Sequence, residues 1–182
     1  MAHLLDGWAT GFRLPDVYEK DWGRLLRVMG FAPTWLLIAV AISLQESAGR
    51  QRDPKTRSTW HVMVIAMIVG GLGSEVLKLL IRRERPGDSG DYQFRSFAED
   101  PFSTRGLGMP SGHTMVAFTG AAAIGRRFPR AAPVLYGLAV GCGATRILAH
   151  AHFLSDVTAA AIGGTLAGRW AARPIEKQDQ PT

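Results

Sequence analysis

Residues 59–81 read TWHVMVIAMIVGGLGSEVLKLLI, twenty-three positions in which only Glu75 and Lys78 carry charge and no proline intervenes. That exceeds the about 20 residues a helix needs to cross the hydrocarbon core of a bilayer. Four further apolar stretches, near 31–46, 112–125, 133–149 and 157–172, also read as helices. The expected fold is therefore all-α, an integral membrane bundle of five or six helices. The shorter stretches are of a length that suits a buried core helix of a soluble bundle as well as a short span, so periodicity does not separate the two. Small residues favour the membrane: Gly137 and Gly141, and again Gly164 and Gly168, stand four apart and let helix backbones approach closely.

The chain has 182 residues, a formal charge of +6 and one cysteine, Cys142, which sits in an apolar stretch and reads as a small buried residue. This length suits one domain, residues 1–172, followed by a disordered tail at 173–182. A lone cysteine forms no intrachain disulfide, which excludes a stapled secreted scaffold. The opening MAHLLDGW lacks the basic and apolar regions of a cleavable signal peptide. Residues 1–27 alternate apolar and charged positions, as an interfacial helix does.

The positive charges cluster between the apolar stretches. Arg50, Arg52, Lys55 and Arg57 lie between the first two, Arg126, Arg127 and Arg130 between the third and fourth, and Arg169, Arg173 and Lys177 at the end of the fifth. If all five helices span, the three groups share one side, which the positive-inside rule assigns to the cytoplasm. The chain start, residues 82–111 and residues 150–156 then face outward. The connection from Pro86 to Pro110, rich in Gly, Asp, Ser and Phe, is expected to be an ordered lid or a flexible loop over a site.

Three blocks fall at helix ends on that face. In the first, Lys78 and Arg85 are seven residues apart, two helical turns, and so project from nearly the same side, with Pro86 next. In the second, Pro110-Ser111-Gly112-His113 precedes an apolar stretch: Ser111 is a natural N-cap, Gly112 admits a ligand to the backbone, and the helix start offers N–H groups to an anion. In the third, Thr145-Arg146 is followed by His150, His152 and Asp156. If His152 and Asp156 share a turn, their i,i+4 spacing lets the carboxylate accept the imidazole N–H and support a cation on the ring, which makes the histidine a nucleophile. Arg146 would add a forked donor for phosphate oxygens. Each block also has a plain structural explanation: snorkelling cations, an ordinary helix start, and polar caps on two helix ends. His150 has Leu154 at i+4 instead of a carboxylate and is assigned to the surroundings of the site. His61 is assigned a structural role. Glu75, one turn before Lys78, either pairs with it or is protonated.

Taken together and in order, the blocks resemble the three signature motifs of the type 2 phosphatidic acid phosphatase (PAP2) family, Lys-x6-Arg-Pro, Pro-Ser-Gly-His and Ser-Arg-x5-His-x3-Asp, across residues 78–156. Thr145 stands where the family usually has serine. The resemblance implies a helical core shared with soluble bacterial acid phosphatases and vanadium haloperoxidases and, in membrane members, six spanning helices and an active site near the outer surface. It implies that His152 attacks phosphorus with Asp156 behind it, giving a phosphohistidine. His113 then protonates the leaving group and afterwards activates water. Lys78, Arg85, Ser111, Gly112 and Arg146 would hold the phosphate.

The expected activity is a membrane lipid phosphate or diphosphate phosphatase, with phosphatidic acid, phosphatidylglycerol phosphate and undecaprenyl diphosphate as candidate substrates. The last is preferred by analogy. No cofactor and no metal are expected, because no His-Glu-x2-His type spacing occurs and three cations supply the charge neutralisation. The expected partners are the lipid phosphate and membrane lipids, with no nucleic acid and no obligate protein partner, in the cytoplasmic (inner) membrane. The rival readings are a vanadium-dependent haloperoxidase using the same cradle and a lipid-phosphate binding protein without turnover.

Overall fold

The computed structural model describes residues 2–48, 58–87 and 90–173. Among these residues the chain forms seven α-helices, α1 (Ala2–Thr10), α2 (Asp21–Val28), α3 (Ala32–Ala48), α4 (Thr59–Ile81), α5 (Gly112–Arg127), α6 (Ala132–Leu148) and α7 (Leu154–Ala171), and no strand. Short 3-10 turns stand at Pro15–Tyr18 and Pro129–Ala131. The five apolar stretches thus become α3 to α7, with ends displaced by three residues or fewer. The N-terminal segment is not one interfacial helix but α1, a turn and α2. Arg50, Arg52, Lys55, Arg57 and Lys177 lie outside the described residues, as does the tail from residue 174 onward.

The helix ends have local causes. Ser58 opens α4 by accepting the His61 N–H, and α4 stops because Arg82 turns left-handed (φ 56°) and closes onto the Lys78 carbonyl at 2.8 Å. Pro129 ends the run after α5, and a proline in the first turn starts α6.

α5 is the central helix, packed on α4, α6 and α7; α3 leans on α4, α2 on α6, and α1 on α7. Close approach is what makes this possible. A Cβ at Gly164 would lie 2.5 Å from the Met115 carbonyl oxygen, and one at Gly168 would lie 2.2 Å from that of Thr119. The Gly164 and Gly168 pair therefore does what its spacing suggested, seating α7 on α5. Gly141 receives Leu26 of α2, whereas Gly137 has nothing near it and contributes no helix contact.

Two helical stretches among the described residues are long and apolar enough to cross a membrane, Thr59–Ile81 and Pro129–Leu148. A third is added if α2 and α3, bent by 69°, form one span. α5, at 16 residues, is shorter than these, and its buried residues are mainly Ala, Gly and Thr.

The two ends of the bundle differ chemically. At one end Arg127, on α5, pairs with Glu46 of α3 at 2.7 Å, and Thr59 of α4 donates to the same carboxylate at 2.6 Å. At the other end meet the last turns of α4 and α6 and the first turns of α5 and α7, which carry the three sequence blocks. Replacing Gly168 with Ala should cost roughly 1–3 kcal/mol through overpacking against α5. Gly137→Ala should be neutral or slightly stabilising. Unfolding of the two variants in detergent checks this, and equal losses would refute the packing.

Candidate active site

A cavity of about 400 Å³ opens where these helix ends converge, and Lys78, Arg85, Gly112, His113 and His152 line it together with Glu75 and Gly30. Lys78 reaches it from the last turn of α4. Arg85 does not follow two turns along that helix as its spacing suggested, because α4 has ended at Ile81; it arrives instead from the extended segment beyond the left-handed Arg82. Glu75 resolves as the partner of Lys78, with Nζ and Oε1 2.5 Å apart. A Cβ at Gly112 would sit 3.2 Å from Lys78 Nζ, so the glycine leaves room for the ammonium group.

Ser111 precedes α5 with extended backbone, but its side chain makes no capping bond to the helix. Its hydroxyl instead accepts from Thr114 Oγ1 at 3.0 Å and is fully buried, so the expected side-chain cap is not formed. His113 lines the cavity with its ring edge-on to Phe31 at 4.9 Å. Its Nε2 has no hydrogen-bond partner among the described residues.

His152 lies just before α7, not inside it. Its Nδ1 is 2.9 Å from the Gly108 carbonyl oxygen and 3.6 Å from Asp156 Oδ2. A carbonyl only accepts, so Nδ1 carries the proton and, in the neutral ring, the lone pair resides on Nε2. The i,i+4 pair therefore does not form the direct hydrogen bond expected from its spacing. Gly108 fixes the tautomer, and Asp156 acts by proximity of charge. Burial holds the His152 imidazolium below its ordinary range; the neighbouring Asp156 carboxylate opposes this, while the Arg146 and Arg85 charges reinforce it.

Asp156 has other ties. One oxygen accepts the Phe153 N–H at 2.9 Å, capping α7, and the other pairs with Arg83, whose guanidinium also donates to Ser155 at 2.8 Å. Both charged groups are almost wholly buried. Arg83 packs against the rings of Tyr92 and Phe153, 5.0 and 5.2 Å from their centroids, and the two rings meet edge-on at 4.9 Å. Behind it, Asp6 of α1 accepts from Tyr92 Oη at 2.5 Å and from the Ser155 N–H at 2.7 Å. Arg146 is buried on α6, with Nη1 donating to Tyr18 Oη. Ser111, Arg146 and Asp156 are not among the residues that line the cavity.

The connection from Pro86 to Pro110 is organised at its base. The Arg85 N–H bonds the Gly106 carbonyl at 3.1 Å, the Gly108 N–H bonds that of Arg83 at 2.7 Å, and the buried Arg82 donates to loop carbonyls including Arg95 and Pro101. The loop thereby delivers the Gly108 carbonyl to His152. His150, left-handed at φ 53°, contacts the Gly87 carbonyl at 3.4 Å, and His61 pairs with Ser58 at the far end of α4. Arg83, Gly108, Tyr18 and Asp6 are the contributors that the sequence reading did not single out. For Arg83 the signal was present, two adjacent arginines ending an apolar helix. Among the described residues no three His, Cys, Asp or Glu side chains cluster as metal ligands.

Residues 59–179 match the PAP2 superfamily, and the chain belongs to it. It is similar to the lipid A 1-phosphatases of Rhizobium etli and Rhizobium johnstonii, 31% and 30% identical over 162 residues, an overlap covering 83% of this chain. The same overlap covers 67% and 64% of those proteins, so this chain spans about two thirds of their length. No solved structure matches it significantly.

Removing one partner of a buried ion pair strands the other charge, which costs roughly 3–5 kcal/mol. Arg83→Met should lose that much unfolding free energy. A loss below about 1 kcal/mol, the range of exposed pairs, would show that Asp156 does not depend on Arg83.

Proposed function

We propose that the chain is a membrane phosphatase for a lipid phosphate, acting through a phosphohistidine on His152 without a metal. The observation that carries this reading is the His152 tautomer: with Nδ1–H held by Gly108, Nε2 offers a lone pair to a cavity that two cations also line. Phosphoryl transfer asks little of a protein beyond in-line placement and neutralisation of charge on the equatorial oxygens. Lys78, Arg85 and Arg146 would supply the neutralisation, and the α5 N-terminus would offer its N–H groups. His152 Nε2 attacks phosphorus as the ester or anhydride oxygen leaves, and His113 gives that oxygen a proton. His113 then takes a proton from the water that cleaves the phosphorus–nitrogen bond, freeing phosphate and neutral His152.

A second groove supports a lipid as the substrate. It is lined by Leu36, Val64, Met67, Ile68, Gly71 and Leu72, has a volume of about 360 Å³, and adjoins the catalytic cavity through Gly71 and Leu72. A hydrocarbon chain fits such a groove while its phosphate occupies the polar cavity. The names of the relatives add lipid A bearing a 1-phosphate to phosphatidic acid, phosphatidylglycerol phosphate and undecaprenyl diphosphate as candidates. On this reading α3 to α7 cross the inner membrane. Arg126, Arg127 and Arg130 lie on the cytoplasmic side and the site on the outer face, because positive charge is retained inside.

The test is phosphate release from the four lipids in detergent by wild type and His152→Ala. Wild type should act on at least one lipid, unaffected by chelator, and the variant should lose roughly 10³-fold or more. Release by the variant at the wild-type rate, or release abolished by chelator and restored by Mg²⁺, would overturn the proposal. The nucleophile must be the neutral ring. Because burial depresses its proton affinity, activity should persist as pH falls below 6.5, the ordinary histidine value, and drop only at more acid pH. A log kcat/KM profile whose acid limb lies at or above that value would contradict this protonation state.

A further inference from the structure

The family match begins at Thr59, yet a residue well before it holds Arg146, a phosphate-binding residue under the proposed function. The Pro15–Tyr18 turn is pinned to the end of α6 by the Leu14 N–H on the Leu148 carbonyl at 2.8 Å. From that turn Tyr18 donates its hydroxyl to the Thr145 carbonyl at 3.3 Å and accepts Arg146 Nη1 on the same oxygen. The Arg146 Cζ lies 5.3 Å from the Tyr18 ring centroid, and Arg27 of α2 stacks on that ring at 4.6 Å. Arg24 fixes the Tyr18 backbone by donating to its carbonyl at 2.8 Å.

The chemistry of this partner matters. Arg83, Arg95 and Arg127 are paired with carboxylates, which cancel their charge locally. A phenol is neutral. It fixes the direction of a guanidinium, whose flexible stem would otherwise lose rotamer freedom at the moment of binding, and leaves the positive charge intact for an anion. Arg146 Nε has no hydrogen-bond partner among the described residues, and its charge is felt at His152.

We propose that Tyr18 is a positioning residue of the phosphate site: its hydroxyl, brought by the N-terminal segment, aims Arg146 at the phosphoryl group without neutralising it. The proposal rests on the phosphatase reading only in taking Arg146 as a phosphate ligand. It is tested on the full chain in detergent with orthovanadate, a phosphate mimic whose binding needs no turnover. Tyr18→Phe keeps the ring and should unfold like wild type while binding vanadate about tenfold more weakly, the loss expected of one hydrogen bond to a charged group. In an Arg146→Met background, adding Tyr18→Phe should cause no further loss. Binding by Tyr18→Phe within about twofold of wild type, or a loss that persists undiminished beside Arg146→Met, would overturn the proposal. Vanadate binding without phosphate release would overturn the phosphatase reading alone and leave Tyr18 to be judged by the binding data. Failure of wild type to bind vanadate would overturn both.

Discussion

The buried carboxylate of Asp156 is the node on which the site depends. Its side chain caps α7, pairs with Arg83 from the segment after α4, and lies beside His152, while its backbone carbonyl accepts the Ser111 N–H that leads into α5. One residue thereby ties three helix ends to the proposed nucleophile. A buried charge is tolerable only when its partners are complete. Here a cation packed against two aromatic rings and a backbone N–H meet that requirement and hold the carboxylate beside His152.

Around this node the molecule divides its arginines by task. Arg83 is matched with a carboxylate and serves as structure. Arg82 is turned into the loop, where carbonyls take its N–H groups and hold the connection that presents Gly108. Arg146 is held by a neutral phenol and Arg85 faces the cavity, so neither is cancelled there by a carboxylate among the described residues. Arg83 and Arg146, both buried guanidiniums, thus differ in the charge of the partner each has, a carboxylate in one case and a phenol in the other.

The amphipathic and apolar patterning exposed much of this in advance. The bounds of α4 were readable because a capping serine precedes an unbroken apolar run, and α5 to α7 because prolines and polar clusters separate them. The three blocks named Lys78, Arg85, Gly112, His113 and His152 among the cavity's lining, although Lys78 and Arg85 meet across a helix end and not along one face. What was not readable was tertiary or carried by the backbone. The Gly108 carbonyl leaves no side-chain trace, and the left-handed Arg82 that redirects Arg85 is not a glycine or asparagine. The hydrogen bonds from Tyr18 to Thr145 and Arg146 and from Asp6 to Ser155 reach across more than a hundred residues. The N-terminal segment looked like a membrane-surface element because its exposed Trp8, Phe12, Trp22 and Leu25 dominate its pattern. Its links to the site are instead the buried Asp6 and the half-buried Tyr18.

Membership of the PAP2 superfamily and similarity to lipid A 1-phosphatases agree with a phosphate site at one end of a helical bundle, with an apolar groove beside it. The central claim is that His152 itself takes the phosphoryl group. Rapid quenching of wild type with a lipid substrate labelled in its phosphate tests it most directly. The account predicts label on the peptide containing His152, labile to acid and stable to alkali as a phosphorus–nitrogen bond is, and discharged as phosphate on the time scale of turnover. Turnover with no labelled protein, or label on a hydroxyl or carboxyl group, would contradict it.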